Sequence, residues 1–254
     1  MIAIDNLHFS FAEKKILHGI TARFEAGKIH GIVGPNGSGK STLLKNISRI
    51  WEPQEGAVFL DGKDYRTISR KALSTMVTLV PQDTAIGFPI SVYEVVAMGR
   101  HPHLGRFQAL GTRDREIIDR ALRTTNVSDL RDRNINELSG GESQLAILAR
   151  ALATEASLIL LDEPTSDLDI RHTLTIMDLL EDLKKKEKTI LVSIHDLNLA
   201  KRYCDTILIL HKGKVFFIGS PDEAFSRENI QAVFNVNMAE IKNDSQSFLY
   251  FSKD

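Results

Sequence analysis

Residues 34–42 read GPNGSGKST, which fits the pattern G-x-x-x-x-G-K-[ST]. The stretch follows an apolar run, KIHGIV (28–33), and opens a helical pattern, KSTLLKNISRI (40–50). A strand, a glycine-rich turn and a helix start in that order form a cradle for a polyphosphate. Gly34, Gly37 and Gly39 let the backbone turn tightly and aim its N–H groups inward. Pro35, Asn36, Ser38 and Thr42 complete the phosphate loop. Lys40 is placed to reach the β- and γ-phosphates and Ser41 to ligate Mg²⁺, while the helix N-terminus adds a dipole that favours anions. A glycine-rich turn with a chance lysine would lack the flanking strand and helix.

Outward from this loop, the apolar runs SLILL (157–161), TILVSI (189–194) and TILIL (206–210) alternate with stretches of helical spacing. The best helices are GGESQLAILARALA (140–153), IRHTLTIMDLLEDLKKK (170–186) and DLNLAKRYC (196–204). This is the pattern of an α/β fold with a mostly parallel sheet covered on both faces. The N-terminal stretch reads instead as antiparallel strands, IAIDNLHFSF and ILHGITARF, joined by a polar turn at Glu13–Lys15. Residues 82–154 carry no convincing strand and read as a helical insertion, with 1–81 and 155–254 forming one core around it. Its fixed positive charges are all arginine, Arg100 through Arg150, and suit a solvated helical face better than a docking surface. Lys184–Lys186 ends a helix, where cations complement the dipole.

Composition narrows the classes. The 254 residues are 43% apolar and 26% charged, with 32 basic against 33 acidic side chains and a net charge of −1. Binding of nucleic acid through bulk charge is therefore not expected. The lone cysteine, Cys204, has no internal disulfide partner and favours a reducing compartment. Asp5 interrupts the place where a signal peptide carries its apolar core, and no apolar run approaches the roughly 18 residues of a membrane span. The expectation is a soluble, intracellular protein.

A phosphate loop needs acidic partners at the end of a buried strand. SLILLDEP supplies Asp162 for Mg²⁺ and Glu163 to polarise an attacking water. The alternative for such a pair is capping of the next helix. His195, in LVSIHDLNLA, ends the following strand and is placed to orient that water against the γ-phosphate.

LSGGES (138–143) precedes a helix and lies shortly before LLDEP. It resembles the signature of the ATP-binding cassette family, usually LSGGQ, and the resemblance runs from Phe11 to the PDEAF segment near residue 221. The resemblance implies ATP and Mg²⁺ as ligands and ATP hydrolysis as the activity. It places Phe11 at the aromatic that stacks on adenine, with Phe9 as rival, and Gln82 at the glutamine that touches Mg²⁺ and the water. Ser139, Gly140, Gly141 and Glu142 match the segment that contacts ATP held by a second subunit. Asp169 ends SDLD, the loop that crosses the dimer interface. Two copies would pack head to tail, because one chain carries both half-sites and completes neither.

The stretch SVYEVVAMGRHPHLG (91–105) and the segment from Ser193 to Phe225 resemble cassettes of bacterial importers for metal chelates: iron siderophores, haem or cobalamin. Such a system implies a homodimer of ATPase subunits on the cytoplasmic side of the inner membrane, two transmembrane permease subunits and an external binding protein. A cassette for another solute, an exporter, or a soluble cassette ATPase outside transport shares the catalytic motifs. His101 and His103 are too few for a metal site and read as loop or interface residues. The chain departs from the common pattern at Glu142, Ser143, Leu145 and Asp167, where relatives often carry glutamine, a larger or basic residue, arginine and alanine.

Overall fold

The computed structural model describes residues 1–83, 86–243 and 246–253. In chain order the first elements are β1 (Ile2–Phe11), β2 (Lys14–Phe24), β3 (Ile29–Val33), α1 (Lys40–Ile47), β4 (Glu55–Leu60) and β5 (Lys63–Asp64). Next come α2 (Arg70–Met76), β6 (Val77–Val80), α3 (Val92–Ala97), α4 (Thr112–Thr124), α5 (Gly140–Ala153), β7 (Leu158–Asp162) and α6 (Ile170–Lys185). The chain ends with β8 (Thr189–Ser193), α7 (Leu197–Tyr203), β9 (Thr206–His211), β10 (Lys214–Gly219), α8 (Pro221–Ala224), α9 (Arg227–Phe234), β11 (Asn237–Asn243) and β12 (Gln246–Ser252). These elements form two compact units, Met1–Tyr65 with Thr189–Asp254, and Arg66–Lys188.

In the first unit β1 pairs antiparallel with β2 and β4, as the close spacing of the two N-terminal strands predicts. Beside this sheet, β3 lies parallel to both β8 and β9, and β10 closes on β9 antiparallel. Every residue of β3 and β8 is buried, which is why both read as unbroken apolar runs rather than alternating ones. Leu17, Ile20, Ile29, Ile32, Leu43 and Leu44 are fully buried and form much of this unit's core. A C-terminal hairpin, β11–β12, is tied to α7 by Asn198, whose amide accepts from Leu249 N (2.7 Å) and donates to Leu249 O (3.1 Å).

In the second unit β6 lies parallel to β7, and α5 packs against α3 and α4. Helix α5 buries Leu145 through Ala149 on nearly all sides, so it reads as a central helix rather than a surface one. Helix α6 buries Ile176, Met177, Leu180 and Leu183, the three- and four-residue spacing of a one-faced helix. Between Pro81 and α5 the described backbone is helical or irregular except for one bridge, Ser91 to Asn134. Arg100, in a short 3₁₀ turn after α3, is buried and donates to Asp114 (2.9 Å), Ala153 O (2.7 Å) and Glu155 (3.1 Å). It is thus a core fastener, unlike the solvated arginines expected around it. His103 Nε2 lies 2.8 Å from Thr154 O, which gives it a place in the same fastening.

Candidate functional site

The phosphate loop leaves the carboxyl end of β3 and ends in α1. Gly34 is held at φ 155°, and a Cβ there would lie 2.1 Å from Leu210 O, so no other residue fits. Gly39 caps α1 at φ 107° and brings no side chain of its own to the helix start. Ser38 N donates to Pro35 O (3.1 Å), closing the turn. Its hydroxyl is buried and has no hydrogen-bond partner among the described residues. Lys40 is 4% exposed, and its Nζ donates to Gly34 O (3.0 Å). A buried ammonium and an orphaned hydroxyl facing one turn are what a polyphosphate would satisfy.

His195 follows β8 as Gly34 follows β3, and these strands are parallel neighbours with Ile32 opposite Ser193. Both residues therefore emerge at the same carboxyl edge, and His195 is exposed there. Asp196, next to it, caps α7 by accepting from Asn198 N and Leu199 N (2.8 and 3.2 Å).

Phe11, at the end of β1, is 44% exposed. Its ring stands edge-on to Trp51, with centroids 4.6 Å apart, and Trp51 stacks on Phe9 at 5.5 Å. Lys45 of α1 lies over the same indole, 4.6 Å from the ring centroid. Phe9 is buried in this cluster, while Phe11 keeps an open surface on which a base can stack.

In the second unit β6 and β7 are parallel with Val80 opposite Leu161. Gln82 and the pair Asp162–Glu163 therefore leave adjacent strands at one edge. Asp162 is 2% exposed and Glu163 half-buried, whereas Gln82 is exposed. Glu163 has φ 50°, a left-handed conformation uncommon for glutamate, and its carbonyl accepts from Ser166 N and Oγ (3.1 and 3.0 Å). Strain of this kind is characteristic of functional positions. Asp167 also has φ 59°, which explains an aspartate there: it tolerates that region better than alanine.

The segment 138–143 starts α5 with a capping box. Ser139 Oγ donates to Glu142 Oε2 (2.7 Å) and accepts from Glu142 N, while Ser139 N donates to the same carboxylate (2.9 Å). These bonds, the Ser139 hydroxyl first, hold the Glu142 carboxyl below its usual range. Gly140 and Gly141 are the first two residues of α5, positions whose N–H groups find no acceptor within the helix and point outward from its start. Leu145 is buried in α5, which accounts for an apolar residue at that position. Asp169 caps α6 by accepting from His172 N (2.8 Å).

In the first unit Ser41 offers a hydroxyl oxygen, and in the second Gln82 and Asp162 offer amide and carboxylate oxygens, each a hard donor of the kind Mg²⁺ takes. Among the described residues no group of three or more His, Cys, Asp or Glu is placed to hold a metal ion. No helix among them is long and apolar enough to cross a membrane. Two side chains in these clusters escaped the motif reading, Trp51 and His172. The first is the chain's single tryptophan and the second lies three residues past a helix cap, and neither signal is specific.

Residues 17–166 match the family model described as ABC transporter. The chain is 40% identical over 238 residues to the cobalamin import ATP-binding protein BtuD of Halobacterium salinarum, a match covering 93% of this chain and 59% of that one. The chain thus spans 59% of the length of this relative. It is 38% identical over 247 residues to the iron(3+)-hydroxamate import ATP-binding protein FhuC of Bacillus subtilis, covering 97% of this chain and 91% of the other. Among solved structures, it is similar to a chain of an inward-facing ABC transporter described as of metal-chelate type. That match has a TM-score of 0.86 and 30% identity, and covers 99% of this chain and 96% of that one.

Proposed function

Because the chain belongs to the ABC transporter family, we propose that it is the ATP-hydrolysing subunit of an importer for a metal chelate, either cobalamin or iron held by a siderophore or haem. The observation that carries this reading is the combination of an intact phosphate loop with relatives named for cobalamin and iron-hydroxamate import. In this role the chain works at the cytoplasmic face of the membrane, as a homodimer bound to two permease subunits, with an external binding protein delivering the chelate. The helical stretch 82–154 serves as the subdomain that carries the signature.

Each residue then has a task. Phe11 offers its open face to adenine. Lys40 exchanges its bond to Gly34 O for the β- and γ-phosphates, and Ser38 Oγ gains the partner it lacks. Ser41, Asp162 and Gln82 would hold Mg²⁺, which supplies charge neutralisation and polarisation at the γ-phosphoryl group. Glu163 accepts a hydrogen bond from the attacking water and draws its proton toward Oε as the nucleophile forms. His195 orients that water and donates to the γ-phosphate oxygen that gains charge.

Gly140 and Gly141 N–H groups at the start of α5 offer a helix terminus to the γ-phosphate bound by the other copy, and Asp169 lies on the same side of the cycle. Glu142 helps through its capping bonds, which shape that helix start and keep its negative charge turned toward Ser139. ATP binding closes the two copies and hydrolysis lets them reopen.

The test is ATP turnover by the intact membrane complex in vesicles, with binding proteins loaded with ferric hydroxamate, haem or cobalamin. Stimulation by one of these chelates is the expected result. Stimulation by none, with another solute active, would overturn the substrate class.

A further inference from the structure

The first turn of α5 and the segment leading into α6 meet at one side chain, His172. An ideal Cβ built on Gly141 would lie 2.3 Å from His172 Cδ2 and 2.4 Å from Cγ. The imidazole therefore occupies the space that any side chain at residue 141 would need. Gly140, by contrast, is open: its nearest neighbour in the same construction is Leu168 Cδ2 at 3.9 Å. One glycine of the pair thus faces outward, and the other is a contact surface for the ring.

The same ring is tied at its other side. His172 Nδ1 lies 3.0 Å from Asp169 Oδ1, the oxygen that also accepts from His172 N. Because the partner is a carboxylate, Nδ1 carries the proton and donates. Asp169 is 65% exposed along its side chain and His172 29%, so the pair sits at the rim of the unit rather than in its core. The two hydrogen bonds, from the backbone first and then from the ring, hold the Asp169 carboxyl below its usual range. A purely packing residue would need no donor here, and a purely capping residue would need no ring.

We propose that His172 is a positioning residue for ATP hydrolysis, locking the SDLD segment to the start of the signature helix so that the two act as one element. The proposal rests on the reading that both segments face the nucleotide of the partner copy. A tie between them then fixes the distance between the groups that approach that nucleotide. It contributes nothing to holding ATP in the chain's own phosphate loop. Loss of the tie should therefore spare nucleotide binding and impair closure and turnover.

The test uses the purified full chain and three variants. His172→Phe keeps a ring against Gly141 and removes the Nδ1 donor. His172→Asn places an amide donor where Nδ1 stood and removes the ring, and His172→Ala removes both. ATP affinity is read at concentrations where the chain is monomeric, ATP-driven dimerisation in the Glu163→Gln background, and kcat and KM in the Glu163 parent.

His172→Ala and His172→Phe should bind ATP within about twofold of the parent and lose about 10- to 100-fold in kcat, with a matching loss of dimer. His172→Asn should recover part of both. Parental kcat in folded His172→Phe would overturn the proposal, as would an ATP affinity that falls in step with turnover. If the Glu163→Gln parent itself forms no ATP-driven dimer, the head-to-tail reading fails and takes the proposal with it.

Discussion

Lys40 Nζ donates to Gly34 O at 3.0 Å, so the lysine that opens α1 closes the phosphate loop on its own first residue. The ammonium is nearly sealed from water, and this carbonyl is a neutral partner, weak for a buried charge. A triphosphate offers a far stronger one. Lys40→Ala should weaken ATP binding by about 10- to 100-fold, the value of one charge-assisted hydrogen bond of roughly 1.5–3 kcal/mol. Calorimetric titration with MgATP checks this, and unchanged affinity would contradict the phosphate-loop assignment.

Glu163 stands one residue past the end of β7, in a left-handed conformation that its neighbours hold through Ser166. Glutamine can keep that backbone and those contacts while losing the ability to take a proton. Glu163→Gln should preserve ATP binding and cut turnover by roughly 10²- to 10⁴-fold. Phosphate release under single-turnover conditions measures this directly. Hydrolysis at the parental rate would remove Glu163 from the role of base.

How much of this was legible beforehand depended on how local the cause is. The phosphate loop, the buried strands β3, β7, β8 and β9 and the helices α1, α5, α6 and α7 declare themselves through neighbours in sequence. A run such as LILLD has one stable environment, and Gly34 through Ser41 need only their own backbone to form a cradle. The strands β4, β5, β6 and β10 and the hairpin β11–β12 are less explicit. They are short or partly solvated, and the hairpin turns apolar Ile241, Phe248 and Tyr250 toward solvent. In the site, Trp51 and His172 acquire meaning only when a distant ring or glycine packs on them. The Asp167 departure similarly became intelligible only with its φ.

The Trp51 ring stands perpendicular to Phe11, the residue proposed to meet the base. Since Phe11 is only 4.6 Å from the chain's single indole, intrinsic fluorescence reports on this pocket without labelling. MgATP should change the emission of Trp51, and tripolyphosphate with Mg²⁺ should change it much less. Phe11→Ala should lower ATP affinity about 3- to 10-fold, the value of one aromatic pair, and leave tripolyphosphate affinity as it was. Equal losses for both ligands would show that Phe11 does not meet the base.

Gly140 and Gly141 are adjacent in the signature yet meet different surroundings. Gly140→Ala adds a methyl group to open space and should leave the melting temperature close to that of the parent. Gly141→Ala drives its methyl group into the His172 ring and should cost about 1–3 kcal/mol of stability. The double variant Gly141→Ala with His172→Ala should recover most of that loss, because the clash has one partner. Denaturant unfolding of the four proteins closes the cycle. Additive losses would place the strain elsewhere.

Arg100 and Asp114 form a buried pair whose pH dependence follows from its sign. The Arg100 guanidinium donates to Asp114 Oδ1 at 2.9 Å, and that bond is the main reason the Asp114 carboxyl lies below its ordinary range. A carboxyl depressed by folding adds stability above its unfolded value, about pH 4, and loses it as pH falls through the folded value. Arg100→Met would take away the donor that Arg100 supplies to Asp114 Oδ1 and Ala153 O, leaving Asp114 the Gly111 N–H at 3.0 Å, while Glu155 keeps Arg120 at 3.0 Å. The variant should therefore lose about 3 kcal/mol at pH 7. The gap between parent and variant should narrow as the pH is taken below about 4, where protonation of Asp114 removes the charge that Arg100 pairs. Urea unfolding at pH 7 and pH 3 compares the two. A gap that stays constant across that range would mean Arg100 acts through packing and its carbonyl bond rather than through the carboxylate.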